Sequence, residues 1–542
     1  MNAKAILENI LYIGESLIGL HLWDFIPYQS IYKKSYSKLV QQSEKMNTSI
    51  DKAKHIFENS CASKNRKYAF FAFCAGHPKE IRLLIAISKF LQKNSHKTIW
   101  SLCKSTPFTC ESFEFKKKNL LKCWACTREM VQVLSIFHEE YFIFKKHSKR
   151  IQLDDNMDKI KFHDLLHYVY KSINVGEIAK YSLFKRYKND QVDEGWEKDL
   201  RRNIKSFILT FEATKKAIRE EKITDVIIMG GQYLNYRAVL LAARDSNINY
   251  FTYENFGVNR LIIAKNDECF NFPIKMNEAR LTKSQKNQAI KLFEDLRTGK
   301  YYHKMFNYES KNELLDKIRH FKNFISVFPN VSWDSATFYK DAGIFKDQYE
   351  WLRETIRFCI DTKRNLVIRI HPGEIQMNEK FKLVNFINEW FPKLPSNVVV
   401  FDSRDKISSY DIISQTNVSC VYVSTLGMEI PYYRVPTIVV GKAYYMNYGF
   451  TINPRKSDEY FSVLAKYHDR KQRLTDIDAL LNYILSLQEY RRKIHYGDFL
   501  KFTGRQEFGP DRGHSFDFDK SIYSGFPWEK EDFSNIVKIF LE

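Results

Sequence analysis

The sequence predicts an α/β protein in which two Rossmann-like domains face each other across a cleft. Short apolar runs alternate with longer stretches of helical periodicity in two separate parts of the chain, and this alternation is typical of parallel sheets covered by helices. The chain of 542 residues also exceeds the comfortable size of a single hydrophobic core. We therefore expect an N-terminal domain over residues 1–320, a C-terminal domain over 321–490, and a tail over 491–542 that packs back on the N-terminal domain.

Apolar runs bounded by turn residues predict the strands of both domains. In the N-terminal domain the predicted strands are Lys67–Cys74, Thr98–Leu102, Asp225–Met229 and Tyr250–Tyr253, and the predicted helices are Glu80–Leu91 and Arg237–Arg244. In the C-terminal domain the predicted strands are Phe324–Phe328, Asn365–Ile370, Val398–Phe401, Val418–Val423 and Thr437–Val440, with helices near 345–361, 378–391 and 408–414. Helical periodicity dominates residues 125–222, 280–320 and 457–502, which predicts an N-terminal helical insertion, a helical connection between the domains and a helical C-terminal tail.

The composition excludes large-scale disorder and favours an anionic partner. Hydrophobic residues make up 44% of the chain and aromatic residues 15%, which is ample material for packed cores. The 85 Lys and Arg residues outnumber the 64 Asp and Glu residues, and the formal net charge of +21 favours nucleic acid, an anionic membrane surface, or phosphorylated and acidic small molecules. The basic patches lack the interleaved aromatic residues of RNA-binding motifs, so we expect no nucleic-acid partner.

Cysteine usage and the N-terminal sequence indicate a cytoplasmic protein. The nine cysteines are odd in number and lie mostly in apolar runs, which is typical of reduced thiols. The Cys123–Cys126 pair lacks a second close pair of ligands, so the sequence predicts no metal site there. The apolar stretch Ile6–Phe25 is interrupted by Glu8, Glu15 and Asp24 and should not span a bilayer, although peripheral contact with an inner membrane stays open.

Two short stretches in the C-terminal domain place polar groups where a strand ends and the next helix begins. They are Arg369–Glu374 and Ser424–Glu429. In open α/β sheets, ligands bind at this carboxyl edge of the strands, and a helix N-terminus offers N–H donors to a phosphate. The sequence therefore predicts a nucleotide-sugar site.

Both stretches contain residue types that suit phosphate and sugar recognition. We expect the His371 imidazole to donate a hydrogen bond to a phosphate oxygen, with Arg369 on the same side of the strand. Ser424 and Thr425 are preferred N-cap residues whose hydroxyls suit a diphosphate, and Glu429 lies where it can accept from ribose or sugar hydroxyls. Ordinary turns and helix caps are the alternative explanation of each residue taken alone.

A third strand end adds two further candidates. Pro436–Val440 reads as a strand that ends at Gly441 and Lys442. Tyr445 beyond it is placed to stack on a base, although aromatic residues in such positions more often belong to the core. The predicted donor-site residues are therefore Arg369, His371, Glu374, Ser424, Thr425, Gly427, Glu429, Lys442 and Tyr445.

A general base for a sugar hydroxyl has to come from a carboxylate near the predicted cleft. Glu254 ends a strand of the N-terminal domain and is the first candidate, and Asp334 follows the first strand of the C-terminal domain and is the second. Gln232 and Arg237 are predicted to bind the acceptor. The Asp517–Asp519 stretch has the DxD form of metal–diphosphate sites, but no strand precedes it, so chance explains it better.

Motifs of several other enzyme classes are absent from the sequence. It contains no GxxxxGK[ST] loop, HExxH helix, GxSxG elbow or dinucleotide GxGxxG. Their absence weakens interpretation as an NTPase, a metalloprotease, an esterase or an NAD enzyme.

The C-terminal half resembles bacterial capsular polysaccharide synthesis proteins, a group of GT-B glycosyltransferases that includes Kdo transferases and is similar to polysialyltransferases. The resemblance rests on Ile368–Glu374, on Ser424–Glu429, and on Pro436–Gly441 followed by Tyr448–Thr451. It extends over residues 320–455 in organisation. Taken in this order and at these spacings, the motifs are fairly specific.

The resemblance implies a GT-B-like fold and a donor site in the C-terminal domain. By resemblance, His371 contacts the donor phosphate, Ser424 and Thr425 close the same site, and Glu429 binds the ribose or sugar. It also implies an enzyme that needs neither a metal nor another cofactor. The sequence departs from the polysialyltransferase pattern in its N-terminal half, where Gly230–Gln232 and Glu254–Asn255 do not reproduce the acidic pair and glycine of the catalytic base.

The expected function is transfer of a sugar from a nucleotide-sugar donor to a growing capsular or other cell-surface polysaccharide. The acceptor would be a lipid-linked or free oligosaccharide. A polyol-phosphate transferase of the teichoic-acid type is the nearest alternative, because it also uses His and Ser residues near a diphosphate. A non-catalytic glycan- or lipid-binding scaffold is the alternative of another class.

Overall fold

The structure is a computed structural model. It describes residues 65–72, 78–104, 106–110, 116–117, 120–255, 260–267, 274–277, 279–297, 310–334, 344–376, 382–469, 477–490, 494–495, 500–502 and 521–523. The predicted apolar helix Ile6–Phe25 and the Asp517–Asp519 stretch lie outside these residues. The chain divides into two compact units. Unit 1 comprises Met1–Ser182, Asp193–Cys269 and Arg492–Glu542, and unit 2 comprises Leu183–Val192 and Phe270–Arg491.

Unit 1 is built on a seven-stranded sheet. Its strands are β1 (Lys67–Ala72), β2 (Lys97–Leu102), β5 (Tyr141–Ile143), β8 (Asp225–Met229), β9 (Asn249–Asn255), β10 (Arg260–Lys265) and β16 (Ile494–His495). Their order in the sheet is β16-β10-β9-β8-β1-β2-β5. The pairs β1–β2, β1–β8, β8–β9 and β2–β5 are parallel, whereas β9–β10 and β10–β16 are antiparallel. The remaining short strands pair two by two: β3 (Thr109–Cys110) with β4 (Lys116–Lys117), β6 (Val169–Tyr170) with β7 (Ile173–Asn174), and β17 (Leu500–Phe502) with β18 (Ser521–Tyr523).

Helices connect these strands and cover the sheet. They are α1 (Pro78–Lys93), α2 (Leu120–Ile136), α3 (Phe144–Ser148), α4 (Phe162–Leu166), α5 (Val175–Tyr187), α6 (Glu197–Glu220) and α7 (Leu234–Asp245). Helix α6 buries an apolar stripe that includes Ile204, Phe207 and Phe211. Its 3.6-residue periodicity explains why one face meets the core and the other stays polar.

Unit 2 is built on a five-stranded sheet in which every pair of neighbours is parallel. Its strands are β11 (Ile325–Phe328), β12 (Leu366–Arg369), β13 (Val398–Phe401), β14 (Val418–Val421) and β15 (Thr437–Val439). Its helices are α8 (Lys283–Arg297), α9 (Asn312–Arg319), α10 (Gln348–Asp361), α11 (Gly373–Gln376), α12 (Leu383–Trp390), α13 (Ser409–Gln415), α14 (Leu426–Glu429), α15 (Ser457–Asp469) and α16 (Asp478–Tyr490). All residues of β11, β12, β14 and β15 are buried, as expected for a sheet covered on both faces.

The strand order of unit 2 is β13-β12-β11-β14-β15. The chain therefore moves outward from β11 in one direction through β12 and β13, and then returns to the other side of β11 to form β14 and β15. This reversal makes the carboxyl edge between β11 and β14 the topological switch point, where doubly wound sheets bind ligands.

The predicted strands of both sheets are confirmed to within about two residues, as expected for boundaries read from sequence. Strand β5 was not predicted, and it shows that the predicted helical insertion over residues 125–222 also contributes an edge strand to the sheet. The tail is not helical to residue 502, because Ile494–His495 pairs with β10 of unit 1. The placement of two domains across a cleft stays a prediction.

The predicted domain boundary at residue 320 differs from the division of the structure. The described residues of 270–320 belong to unit 2 because they pack on its core. The ring of Phe293 stacks on Tyr432 with their centroids 4.1 Å apart, and Lys286 of α8 lies 2.5 Å from Asp478 of α16. In the described part of the chain, no helix is both long and apolar enough to cross a membrane.

Candidate functional site

The loops after β11, β12 and β14 meet at the switch point of unit 2. The backbone N–H of Val423, just after β14, donates to the Asn330 side-chain oxygen in the loop after β11 at 3.0 Å. The next residue of that loop, Val331, lies against the loop after β12, since a Cβ added to Gly373 would lie 3.3 Å from a Val331 methyl. The loop after β11 thus lies between the Arg369–Glu374 stretch and the residue that precedes the Ser424–Glu429 stretch.

His371 is held in one orientation and one protonation form. Its Nδ1 atom accepts a hydrogen bond from the Gly373 backbone N–H at 2.9 Å, so the proton of the neutral ring lies on Nε2. Burial lowers the pKa of His371 to about 4, and the charge of the neighbouring Arg369 acts in the same direction. The side chain is only partly exposed. At neutral pH the ring is therefore an uncharged donor through Nε2.

Arg369 and Glu374 contact the loops around His371, and their predicted role in donor binding stays a prediction. The buried Arg369 guanidinium donates to the backbone carbonyls of Asp402 and, at 2.9 Å, Asp405 in the loop after β13. Glu374 is also buried, and its carboxylate accepts from the N–H of Leu383 at the start of α12, at 3.2 Å. Neighbouring loops enclose both side chains. The charge of Arg369 therefore acts on the site by lowering the pKa of His371.

The N-terminal end of α14 offers fewer hydrogen-bond donors than predicted. The Ser424 hydroxyl, one residue before the N-cap Thr425, accepts a hydrogen bond from the Leu426 N–H at 3.3 Å. The N–H groups of Gly427 and Met428 bond to the carbonyls of Ser424 and Thr425, each at 3.0 Å. The Thr425 side chain makes no capping bond and is exposed. Its hydroxyl is therefore the group of this turn that is placed to meet a ligand.

Tyr445 and Gly427 pack in the core of unit 2, and their predicted contact with the donor stays a prediction. Tyr445 is fully buried, and its hydroxyl donates to the Ser424 carbonyl. Burial raises the pKa of Tyr445 well above its usual value, with the nearby Tyr444 and Glu429 acting in the same direction. A Cβ at Gly427 would collide with the Tyr445 hydroxyl, so glycine is needed for this packing. Lys442, after β15, is exposed, and its predicted contact with the donor stays a prediction.

Glu429 is oriented by a tyrosine that the sequence did not single out. The Tyr410 hydroxyl, in the first turn of α13, donates to a Glu429 carboxylate oxygen at 2.6 Å. The Tyr410 ring stacks on Tyr433 with centroids 5.9 Å apart. Glu429 is partly exposed, so its carboxylate is both positioned and accessible. No short motif surrounds Tyr410, and only the fold brings it to Glu429.

The remaining predicted residues lie in two different units. Asp334 follows β11 in unit 2, is partly exposed, and donates its backbone N–H to the Val331 carbonyl at 3.3 Å. Glu254, Gln232 and Arg237 lie in unit 1. The Glu254 carboxylate lies beside the turn that follows β8, since an added Cβ at Gly230 would be 2.6 Å from it. Within unit 1, Glu254 and the turn before Gln232 are therefore neighbours, while the predicted roles of these residues in catalysis and acceptor binding stay predictions.

The described residues contain no group of three or more His, Cys, Asp or Glu side chains arranged to hold a metal ion. Cys123 is buried and Cys126 is partly exposed on α2. The predicted independence from metals stays a prediction.

Comparisons with known proteins find only remote likenesses. No protein-family model and no curated protein sequence matches the chain. Among solved structures it is similar to the KpsC β-Kdo 2,4-transferase of Thermosulfurimonas dismutans, at 14% identity over 48% of this chain and 79% of that one, with a TM-score of 0.31. The β-Kdo 2,7-transferase of the same organism gives 16% identity over 50% and 80%, with a TM-score of 0.30. The UDP-GlcNAc 2-epimerase of Methanocaldococcus jannaschii gives 9% identity over 79% and 99%, with a TM-score of 0.27. At such low identities and TM-scores, the fold and function of this chain rest on its own geometry.

Proposed function

We propose that this chain is a metal-independent glycosyltransferase that moves a sugar from a nucleotide-sugar donor to a growing capsular or other cell-surface polysaccharide. The observation that carries the proposal is the combination at the switch point of unit 2. A neutral imidazole with its proton on Nε2, an exposed Thr425 hydroxyl and a positioned Glu429 carboxylate all follow the carboxyl ends of a parallel sheet. These groups match the diphosphate and the hydroxyls of a nucleotide sugar.

Each group of the site has a defined part in the proposed binding. His371 Nε2–H donates to a donor phosphate oxygen and strengthens that hydrogen bond as negative charge develops there during departure of the nucleotide. Thr425 donates its hydroxyl to the same phosphate group. Glu429 accepts from ribose or sugar hydroxyls, and the Tyr410 hydrogen bond restricts its rotamers. Lys442 adds positive charge at the neighbouring strand end.

The proposal is tested by transfer assays on the full chain with uridine, cytidine and guanosine nucleotide sugars and oligosaccharide acceptors. We expect one donor to yield a glycosylated product without the donor's phosphorus and an equal amount of released nucleotide. His371→Ala should lose activity and keep its fold, whereas His163→Ala is the matched control because His163 is 79% exposed in unit 1. A product that retains donor phosphorus would instead identify a polyol-phosphate transferase. Binding of glycan with no turnover of any donor would identify a non-catalytic scaffold.

A further inference from the structure

A short turn after α5 reaches the sheet edge that carries the candidate site. Helix α5 ends at Tyr187, and Lys188 adopts a left-handed conformation with φ 50°. The buried Asn189 then closes the turn, since its side chain donates to the Gln191 carbonyl at 2.9 Å and accepts from the Gln191 N–H at 2.8 Å. The backbone of Asp190, between these two residues, is therefore held in a fixed position.

This turn belongs to unit 2 and contacts two of its elements. The Lys188 ammonium lies 4.2 Å from the Trp333 ring centroid, in the loop after β11. The Tyr349 hydroxyl, in the first turn of α10, donates to Asp190 Oδ1 at 2.6 Å. The loop after β11 and the start of the following helix both lie at the carboxyl edge of β11, the edge where Val331 contacts the His371 loop. Asp190 is thus placed at the edge of the sheet that holds the proposed donor site.

The hydrogen bonds and the raised pKa of the Asp190 carboxyl group suit proton transfer. Oδ1 accepts from Tyr349 and, at 3.3 Å, from the Gln191 side chain, while no hydrogen bond to Oδ2 is found in the described part of the chain. Burial raises the pKa of Asp190 to about 6, and the charge of Asp347 acts in the same direction. The hydrogen bonds from Tyr349 and Gln191, and a further one from the backbone N–H of Asp190 itself, oppose this rise, and the Lys188 ammonium lies over the Trp333 ring. Asp190 as a whole residue is partly exposed.

We propose that Asp190 is the general base of the transfer, an assignment that rests on the proposed function above. Asp190 Oδ2 takes the proton of the acceptor hydroxyl while the hydroxyl oxygen forms the new bond to the anomeric carbon. The bond from that carbon to the donor phosphate oxygen breaks, and its electron pair leaves with the nucleotide. A positioned base with a pKa near the working pH is the form of carboxylate that this step requires.

The test compares transfer by the wild type with transfer by Asp190→Asn. We expect the variant to lose about 10²- to 10⁴-fold in turnover, the usual contribution of a general base. Its affinity for the nucleotide should stay within about twofold, because the donor site and the base are different groups. Asp361→Asn is the matched control, since Asp361 is exposed at the opposite end of α10 from Tyr349, and it should transfer at the wild-type rate.

A second variant separates a chemical role from a structural one. Tyr349→Phe removes a hydrogen bond that stabilises the Asp190 carboxylate, so the acid limb of the rate profile should move to higher pH than the wild-type limb near pH 6. An unmoved limb, or wild-type turnover in Asp190→Asn, would overturn the assignment. If Glu254→Gln or Asp334→Asn loses activity while Asp190→Asn keeps it, the general base is not Asp190. If the wild type transfers no sugar from any donor, the proposed function fails and the base assignment falls with it.

Discussion

The Nδ1 atom of His371 accepts a hydrogen bond from the backbone N–H of Gly373 at 2.9 Å. This contact closes a tight turn after β12, restricts rotation of the ring and leaves Nε2 as the protonated nitrogen. The turn contains only residues of the Arg369–Glu374 stretch, so local sequence is sufficient to form it. The result is a neutral histidine whose Nε2–H is available as a hydrogen-bond donor, as the proposed contact with a phosphate requires.

Replacing Gly373 with alanine should disturb His371 most and the Val331 methyl to a smaller degree. No positive φ is required at Gly373, but an added Cβ would lie 2.7 Å from His371 Nδ1. We expect nucleotide affinity to fall about tenfold, because a hydrogen bond to a charged phosphate contributes roughly 1.5–3 kcal/mol. Calorimetric titration measures the change. Gly195→Ala is the control, since its Cβ would contact only the Asp193 side chain, and equal affinity in both variants would contradict the proposed role of His371.

His371 should stay neutral well below the pH at which histidine ordinarily titrates. With a pKa of about 4, the ring should resist protonation until the pH falls toward 4. Nuclear magnetic resonance of ¹⁵N-labelled histidine, assigned with His371→Gln, should show a proton on Nε2 from pH 8 to about 5.5. A titration midpoint near 6.5, or a proton on Nδ1, would be inconsistent with this geometry.

The same pKa shift predicts how the stability of unit 2 depends on pH. In the unfolded chain His371 takes up a proton as the pH falls through about 6.5, whereas in the folded chain it does not until about 4. Its contribution is therefore complete above pH 6.5 and is lost on acidification. Between pH 7 and 4.5 the wild type should lose about 2–3 kcal/mol more than His371→Gln in chemical unfolding. Parallel pH profiles for the two proteins would rule out the shift.

Removing the Tyr410 hydroxyl should weaken donor recognition through Glu429. Tyr410→Phe keeps the ring that stacks on Tyr433 but loses the 2.6 Å hydrogen bond to the carboxylate. We expect KM for the donor to rise about threefold to tenfold with a smaller change in kcat, because the loss of one hydrogen bond costs roughly 0.5–1.5 kcal/mol. Tyr467→Phe on α15 provides a matched tyrosine control. Unchanged KM in Tyr410→Phe would show that Glu429 does not need this partner.

Gly427→Ala should destabilise unit 2 by about 1–3 kcal/mol, the usual cost of overpacking a core. The added methyl would collide with the buried Tyr445 hydroxyl and lie 2.6 Å from a Val421 methyl. Because the hydroxyl is one of the two obstacles, Gly427→Ala combined with Tyr445→Phe should recover part of the lost stability in a double-mutant cycle. Thermal unfolding of the two single variants and the double variant measures this coupling. Strict additivity would exclude the contact.

Local patterns were sufficient for most strands and for the positions of the His371 and Ser424 turns. Asp225–Met229 and Val398–Phe401 are bounded by turn residues and were predicted with their observed limits. Strand β5 was missed because its three residues lead directly into α3, so neither periodicity nor a turn separates it from the surrounding helices. Its strand character comes from pairing with β2, which is a tertiary effect.

The roles of individual side chains were harder to predict than their positions. Alternation predicts Arg369 and His371 on one side of the strand, and the charge of Arg369 does lower the pKa of His371. The Arg369 guanidinium, however, donates to carbonyls 33 and 36 residues further along the chain. The partners of Glu429 and Asp190 lie 19 and 159 residues away in sequence. Such contacts depend on how helices pack, and a single sequence carries no local signal of them.

Nucleotide binding by the wild type and by His371→Ala tests the central claim most directly. Both proteins would be titrated calorimetrically with uridine, cytidine and guanosine mono- and diphosphates, with His163→Ala as the control. We expect one nucleotide series to bind the wild type and the control alike, and to bind His371→Ala at least about tenfold more weakly, because a phosphate hydrogen bond is lost. Absence of binding by the wild type to every nucleotide, or equal affinity in His371→Ala, would contradict a donor site at this edge of the sheet.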